Sequence, residues 1–145
     1  DAISVQVMIG SQYERHMLNN FRIVAEECSN WSIPLLAMMY PTEEYYAKLG
    51  DDAHLHAARA GAEMGADIVK TSYTGNKESF AKLVQACPAP VIVAGGSKKN
   101  SEKEVLQMVE EAMSCGAAGV ALGRNVWQSS DPSEMTKSLV KIVHG

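Results

Sequence analysis

Lys70 interrupts an otherwise apolar run, Ile68-Val69-Lys70-Thr71, that reads as a buried β-strand. By the strand period of two it shares a face with Ile68 and Ser72. Burying an ammonium is unfavourable, and loss of the proton relieves it. A neutral lysine is a nucleophile able to form a Schiff base with a carbonyl compound, whereas an ion pair with Asp or Glu on a neighbouring strand would leave it inert. Tyr40 closes a second apolar run, Met38-Met39-Tyr40-Pro41, which sets a phenol at a strand end. There it can move protons, or keep its ring in the core and its hydroxyl in water. Two further runs pass straight into glycine turns, Gly95-Gly96-Ser97 and Gly123-Arg124-Asn125. Glycines let backbone N–H groups converge on a phosphate without obstruction by Cβ, and Arg124 can add charge-assisted hydrogen bonds.

Other reactive side chains form no such group. His54 and His56 are two apart on an expected helix and face different ways, and no other cluster has metal spacing, so neither a metal nor a cofactor is expected. His16 and His144 read as solvated. Glu43 and Glu44 fall in an expected long loop after Tyr40. Cys28, Cys87 and Cys115 are widely spaced in apolar surroundings, none in a CxxC motif or beside a histidine. They read as buried free thiols of a reducing, cytoplasmic compartment.

The elements that must position these groups alternate strictly. Strands are expected at 3–9, 35–40, 67–71, 91–94 and 119–122, and helices at 12–30, 52–64, 76–86, 102–115 and 132–143. Ser11 with Glu14 and Ser101 with Glu104 fit capping boxes, Asp131-Pro132 a capped start, and Gly65 and Gly116 helix stops. Strand–helix alternation with short loops implies a parallel sheet, either doubly wound in the flavodoxin manner or part of a (β/α) barrel. In both, ligands bind at the C-terminal strand ends, where Tyr40, Lys70 and the glycine turns lie. Strand starts recur 32, 32, 24 and 28 residues apart, close to the roughly 31 of a barrel unit. Five units then make the C-terminal part, about strands four to eight, of one TIM-barrel domain, and the phosphate site of such barrels is often built after strands seven and eight.

Composition excludes several classes. The chain has 145 residues, 46% apolar, with 13 Lys and Arg against 17 Asp and Glu and a formal charge of −4. This bounds a single folded domain rather than a disordered segment. It provides no basic stripe for nucleic acid and no run long enough to span a membrane.

The segments PLLAMMYP, HAARAGAEMGADIVKTSYTG, CPAPVIVAGG and GAAGVALGRNVWQ resemble the archaeal-type class I aldolases, and the resemblance covers essentially the whole chain. It implies a (β/α)8 barrel, Lys70 as the Schiff-base lysine, Tyr40 as the proton-transfer residue, and Gly95, Gly96, Gly123 and Arg124 as the phosphate cradle. The implied substrates are a ketose phosphate and an aldehyde, with no metal. The nearest resemblance is to the transaldolase-like branch that uses aspartate semialdehyde in aromatic amino acid biosynthesis; the fructose-bisphosphate aldolase branch is more distant. Two departures stand out. The family's first three strands, with an acid/base Asp after the first, are absent. Thr42 and Glu43 follow Tyr40-Pro41 where the family commonly has Arg-Gly, which sets a carboxylate where a cation would meet a phosphate. A barrel lacking part of its acid/base set could instead be a non-catalytic sugar-phosphate-binding module. Five units alone would leave two open sheet edges, which predicts a homo-oligomer.

Overall fold

The computed structural model describes residues 1–99 and 101–145. The apolar runs form β1 (Ile3–Ile9), β2 (Leu35–Pro41), β3 (Ile68–Ser72), β4 (Val91–Ala94) and β5 (Gly119–Ala121), all parallel and paired in the order β1-β2-β3-β4-β5. That order separates the two architectures. A doubly wound sheet reverses its strand order at a switch point and carries helices on both faces. Here the order never reverses, so successive right-handed crossovers place their helices on one face, as in a barrel wall.

Burial along the strands shows the same sidedness. Val7, Leu35, Ala37, Met39, Val69, Thr71, Val91 and Val93 are buried, and they pack with Phe21, Phe80, Leu83, Val105 and Val109 of the helices. Alternate residues Met38, Tyr40, Lys70, Ser72 and Ile92 are only half-buried, on the opposite face. Strand alternation thus keeps Lys70 out of the core and aims it at what would be the inside of the barrel.

The helices are α1 (Glu14–Trp31), α2 (Glu43–Leu49), α3 (Asp52–Glu63), α4 (Lys77–Ala86), α5 (Glu102–Ser114), α6 (Arg124–Trp127) and α7 (Pro132–His144). Asp131 Oδ1 accepts the N–H groups of Ser133 and Glu134, and Ser101 Oγ accepts that of Glu104. Gly65 and Gly116 end α3 and α5 with φ of +101° and +92°. The start of α1 differs from expectation. The Ser11 N–H is held by the Met8 carbonyl at 3.3 Å, so the Glu14 carboxylate reaches back to the Gly10 N–H, and the helix begins after Tyr13. The segment carrying Glu43 and Glu44 is a helix rather than a long loop. Thr42 Oγ1 caps it by accepting the Tyr45 N–H, and both carboxylates favour its N-terminal turn. Cys28 and Cys87 are buried free thiols as expected, whereas Cys115, at the end of α5, is only half-buried.

The contact between α3 and β2 depends on a missing side chain. A Cβ at Gly61 would lie 2.6 Å from Met39 Cγ and 3.2 Å from Ala37 Cβ, both on the buried face of β2. Gly61→Val is therefore expected to destabilise the protein by about 2 kcal/mol or more through overpacking, read as a lowered urea midpoint.

Candidate active site

Four strand ends build the site. Met38 of β2 pairs with Lys70 of β3, Lys70 with Ile92 of β4, Ser72 with Ala94, and Ala94 with Ala121 of β5. Tyr40 therefore stands two residues nearer the C-terminal rim than the partner of Lys70. The glycine turns begin directly after the last paired residue of β4 and one residue, Leu122, beyond that of β5. The result is an open cavity of about 370 Å³ lined by Tyr40, Lys70, Ser72, Ala94, Gly95, Gly96, Ala121, Gly123, Arg124 and Trp127. All six residues named from the sequence border this one cavity.

Among the described residues, no carboxylate lies within ion-pair distance of the Lys70 ammonium, so the inert salt-bridge arrangement is not formed there. Burial raises the Tyr40 hydroxyl above the ordinary phenol range. Like any phenol it holds its proton at neutral pH, and burial extends that protonated range to higher pH. Arg124 Nη2 donates to the Gly96 carbonyl at 3.1 Å, which ties the β5 turn to the β4 turn.

Two residues of this region were not singled out by residue type. Trp127 is 70% exposed, and a Cβ at Gly123 would meet its ring at 3.1 Å, so the glycine allows the indole to lie across the β5 turn at the rim of the cavity. Asn125 is 5% exposed and holds the Gly95–Lys99 backbone from behind. The other candidates lie elsewhere. His56 Nδ1 is hydrogen-bonded to the Tyr45 hydroxyl, and His54 packs edge-on against Tyr46 at 5.5 Å between ring centroids. Thr42 is engaged in its cap, Glu43 is exposed, and Glu44 pairs with Lys48 at 2.8 Å on the surface of α2.

The model of the DeoC/LacD family aldolases matches residues 1–129. The chain belongs to the DeoC/LacD aldolase family. A 2-amino-3,7-dideoxy-D-threo-hept-6-ulosonate synthase 1 of Archaeoglobus fulgidus is 47% identical over 145 residues, which is 100% of this chain and 54% of that protein. A 2-amino-4,5-dihydroxy-6-oxo-7-(phosphonooxy)heptanoate synthase of Streptomyces griseus is 43% identical over 99% of this chain and 53% of its own length. This DeoC/LacD chain thus spans about half the length of the curated relatives it matches. A solved archaeal fructose-1,6-bisphosphate aldolase, with its catalytic Lys covalently bound to the carbinolamine intermediate of the substrate, superposes with a TM-score of 0.91 at 29% identity. The match covers 99% of this chain and 58% of that one. The five parallel units of this family member are accordingly a section of a TIM barrel, with the cavity at its C-terminal face.

Proposed function

We propose that this chain supplies the Schiff-base centre of a class I aldolase or transaldolase acting on a ketose phosphate. Its five units would be the last five of an eight-unit barrel. The observation that carries the proposal is the convergence of Lys70, Tyr40 and both glycine turns on one cavity.

In this reading the Lys70 free amine attacks the ketose carbonyl carbon. The carbinolamine so formed loses its oxygen as water, leaving a protonated imine. Cleavage of the neighbouring carbon–carbon bond sends its electron pair into the imine to give an enamine, while the departing carbon keeps its oxygen as an aldehyde and releases the hydroxyl proton to a base. The enamine then takes a proton, or attacks a second aldehyde. Tyr40, protonated at neutral pH as a phenol is, serves as the acid that protonates carbon or the developing alkoxide. The protonated imine does the polarising that a metal does in other aldolases, so no metal or cofactor is assigned. Backbone N–H groups around Gly95, Gly96 and Gly123, with Arg124, receive the phosphate.

The synthase names of the relatives at 43% and 47% identity support the transaldolase branch; aspartate semialdehyde as the aldehyde and aromatic amino acid biosynthesis as the setting are what the family resemblance adds. Fructose-bisphosphate cleavage is the second reading, favoured by the solved aldolase. Arg124 is the guanidinium lining the described cavity, so the substrate phosphate is expected on the β4–β5 side. We assign the protein to the cytoplasm and expect a homo-oligomer, with no nucleic-acid or membrane partner. No described helix is long and apolar enough to cross a membrane.

Borohydride reduction tests the reading. With saturating dihydroxyacetone phosphate, the intact protein should carry a reduced covalent adduct on the Lys70 peptide, seen by mass spectrometry. An unmodified Lys70 peptide under saturating ligand overturns it. Phosphate-ester binding with neither adduct nor turnover would establish the non-catalytic binding module in its place.

A further inference from the structure

We infer that Asn125 is a positioning residue that gives the phosphate cradle its shape and thereby sets the preference for a phosphorylated substrate. The inference rests on the cradle reading above and extends it to a side chain that does not border the cavity.

Asn125 lies in α6 directly after Arg124, with its side chain turned into the protein. Nδ2 donates to the Gly95 carbonyl at 2.7 Å and to the Ser97 carbonyl at 3.1 Å, while Oδ1 accepts the Lys99 N–H at 2.8 Å. These partners fix the orientation of the amide: two carbonyls require donors and one N–H requires an acceptor. Aspartate has the same shape but would face two carbonyl oxygens with a carboxylate. Alanine would leave three inward-facing backbone groups without their partner.

Arg124 Nη2 holds the Gly96 carbonyl at 3.1 Å. Two consecutive residues of α6 therefore grip three consecutive carbonyls, those of residues 95, 96 and 97. In a planar trans peptide the N–H points opposite to its carbonyl. Turning these three carbonyls toward α6 turns the N–H groups of Gly96, Ser97 and Lys98 away from it. Among the described residues those N–H groups find no acceptor in the protein. Gly96 has φ of +65° in a turn whose neighbours have ordinary φ. Such a left-handed glycine lets the chain turn so that neighbouring N–H groups face the same side. Asn125 thus fixes, from behind, the donors the phosphate would meet in front, and it joins the β4 and β5 turns into one cradle.

The test compares two ketones in the intact protein. Reductive trapping on Lys70 is measured with dihydroxyacetone phosphate and with dihydroxyacetone, for the wild type, Asn125→Asp and Asn125→Ala. The wild type should strongly prefer the phosphorylated ketone. Both variants should lose about 10- to 100-fold of that preference, with KM for the phosphorylated ketone rising more than kcat falls, because a buried partner of several backbone groups has been removed. Trapping of dihydroxyacetone should change little. Should neither variant accumulate as folded protein, Asn125→Ser, which keeps a small hydrogen-bonding side chain, yields the same ratio. An unchanged preference, or equal loss for both ketones, overturns the inference. A wild type without any preference for the phosphorylated ketone overturns the cradle itself, and that result is read before any variant is made.

Discussion

Replacing Lys70 with methionine should abolish adduct formation with borohydride and lower carbon–carbon bond turnover by about 10⁴-fold or more, because no other group can form the imine. Methionine keeps the length and most of the apolar stem of lysine. Lys70 lies on the half-buried face of β3, not among the helices, so the strand and its pairing with Met38 and Ile92 should survive. The expected result is a protein with an unchanged melting profile and no activity. Lys70→Arg separates charge from nucleophilicity, since it restores the cation without a usable amine and should be equally inactive. Substantial turnover in either variant would remove Lys70 from the mechanism and leave the cavity a binding site.

Tyr40→Phe should lower kcat by about 10²- to 10³-fold, the size expected for loss of a positioned proton donor. The ring remains to fill its half-buried place at the end of β2, so only the hydroxyl is tested. Imine formation can draw its protons from water, and borohydride should still label Lys70 in this variant, whereas steps that protonate carbon or alkoxide should stall. The split between labelling and turnover is the signature. The Tyr40 hydroxyl is raised by burial, so its protonated, donating form is kept below the ordinary phenol range and lost only above it. An alkaline fall in kcat governed by Tyr40 belongs above pH 10 or so, and it should vanish in the phenylalanine variant. Equal loss of labelling and turnover would make Tyr40 a packing residue.

Much of this arrangement is legible in residue order. Lys70 announces itself because it breaks an apolar run, and the glycine turns because they follow strands directly. The strand limits agree within one residue, since short buried strands leave little freedom for where the apolar run begins. Alternation of strand and helix could not choose between a doubly wound sheet and a barrel wall. Both produce it, and only the pairing order separates them. The α2 helix escaped because Glu43-Glu44-Tyr45-Tyr46 has no obvious apolar stripe; it is held by the Thr42 cap and acidic first turn and by Tyr45 and Tyr46 packing on the core and on α3, the latter visible only in the fold. Asn125 was hidden for another reason. An asparagine after glycine and arginine reads as turn chemistry, and its role emerges only when residues 28 and 30 positions away are brought against it.

The unbroken strand order has a consequence for how the chain assembles. Each strand hydrogen-bonds only to its immediate successor or predecessor along the chain, so each pairing closes a connection of about one repeat and never waits on a distant partner. Growth can spread from any adjacent pair toward both edges, in the way stacked-repeat proteins propagate. At the cradle the last two repeats are additionally stitched together by side chains, so the anion-binding half of the cavity takes shape only once both repeats are in place.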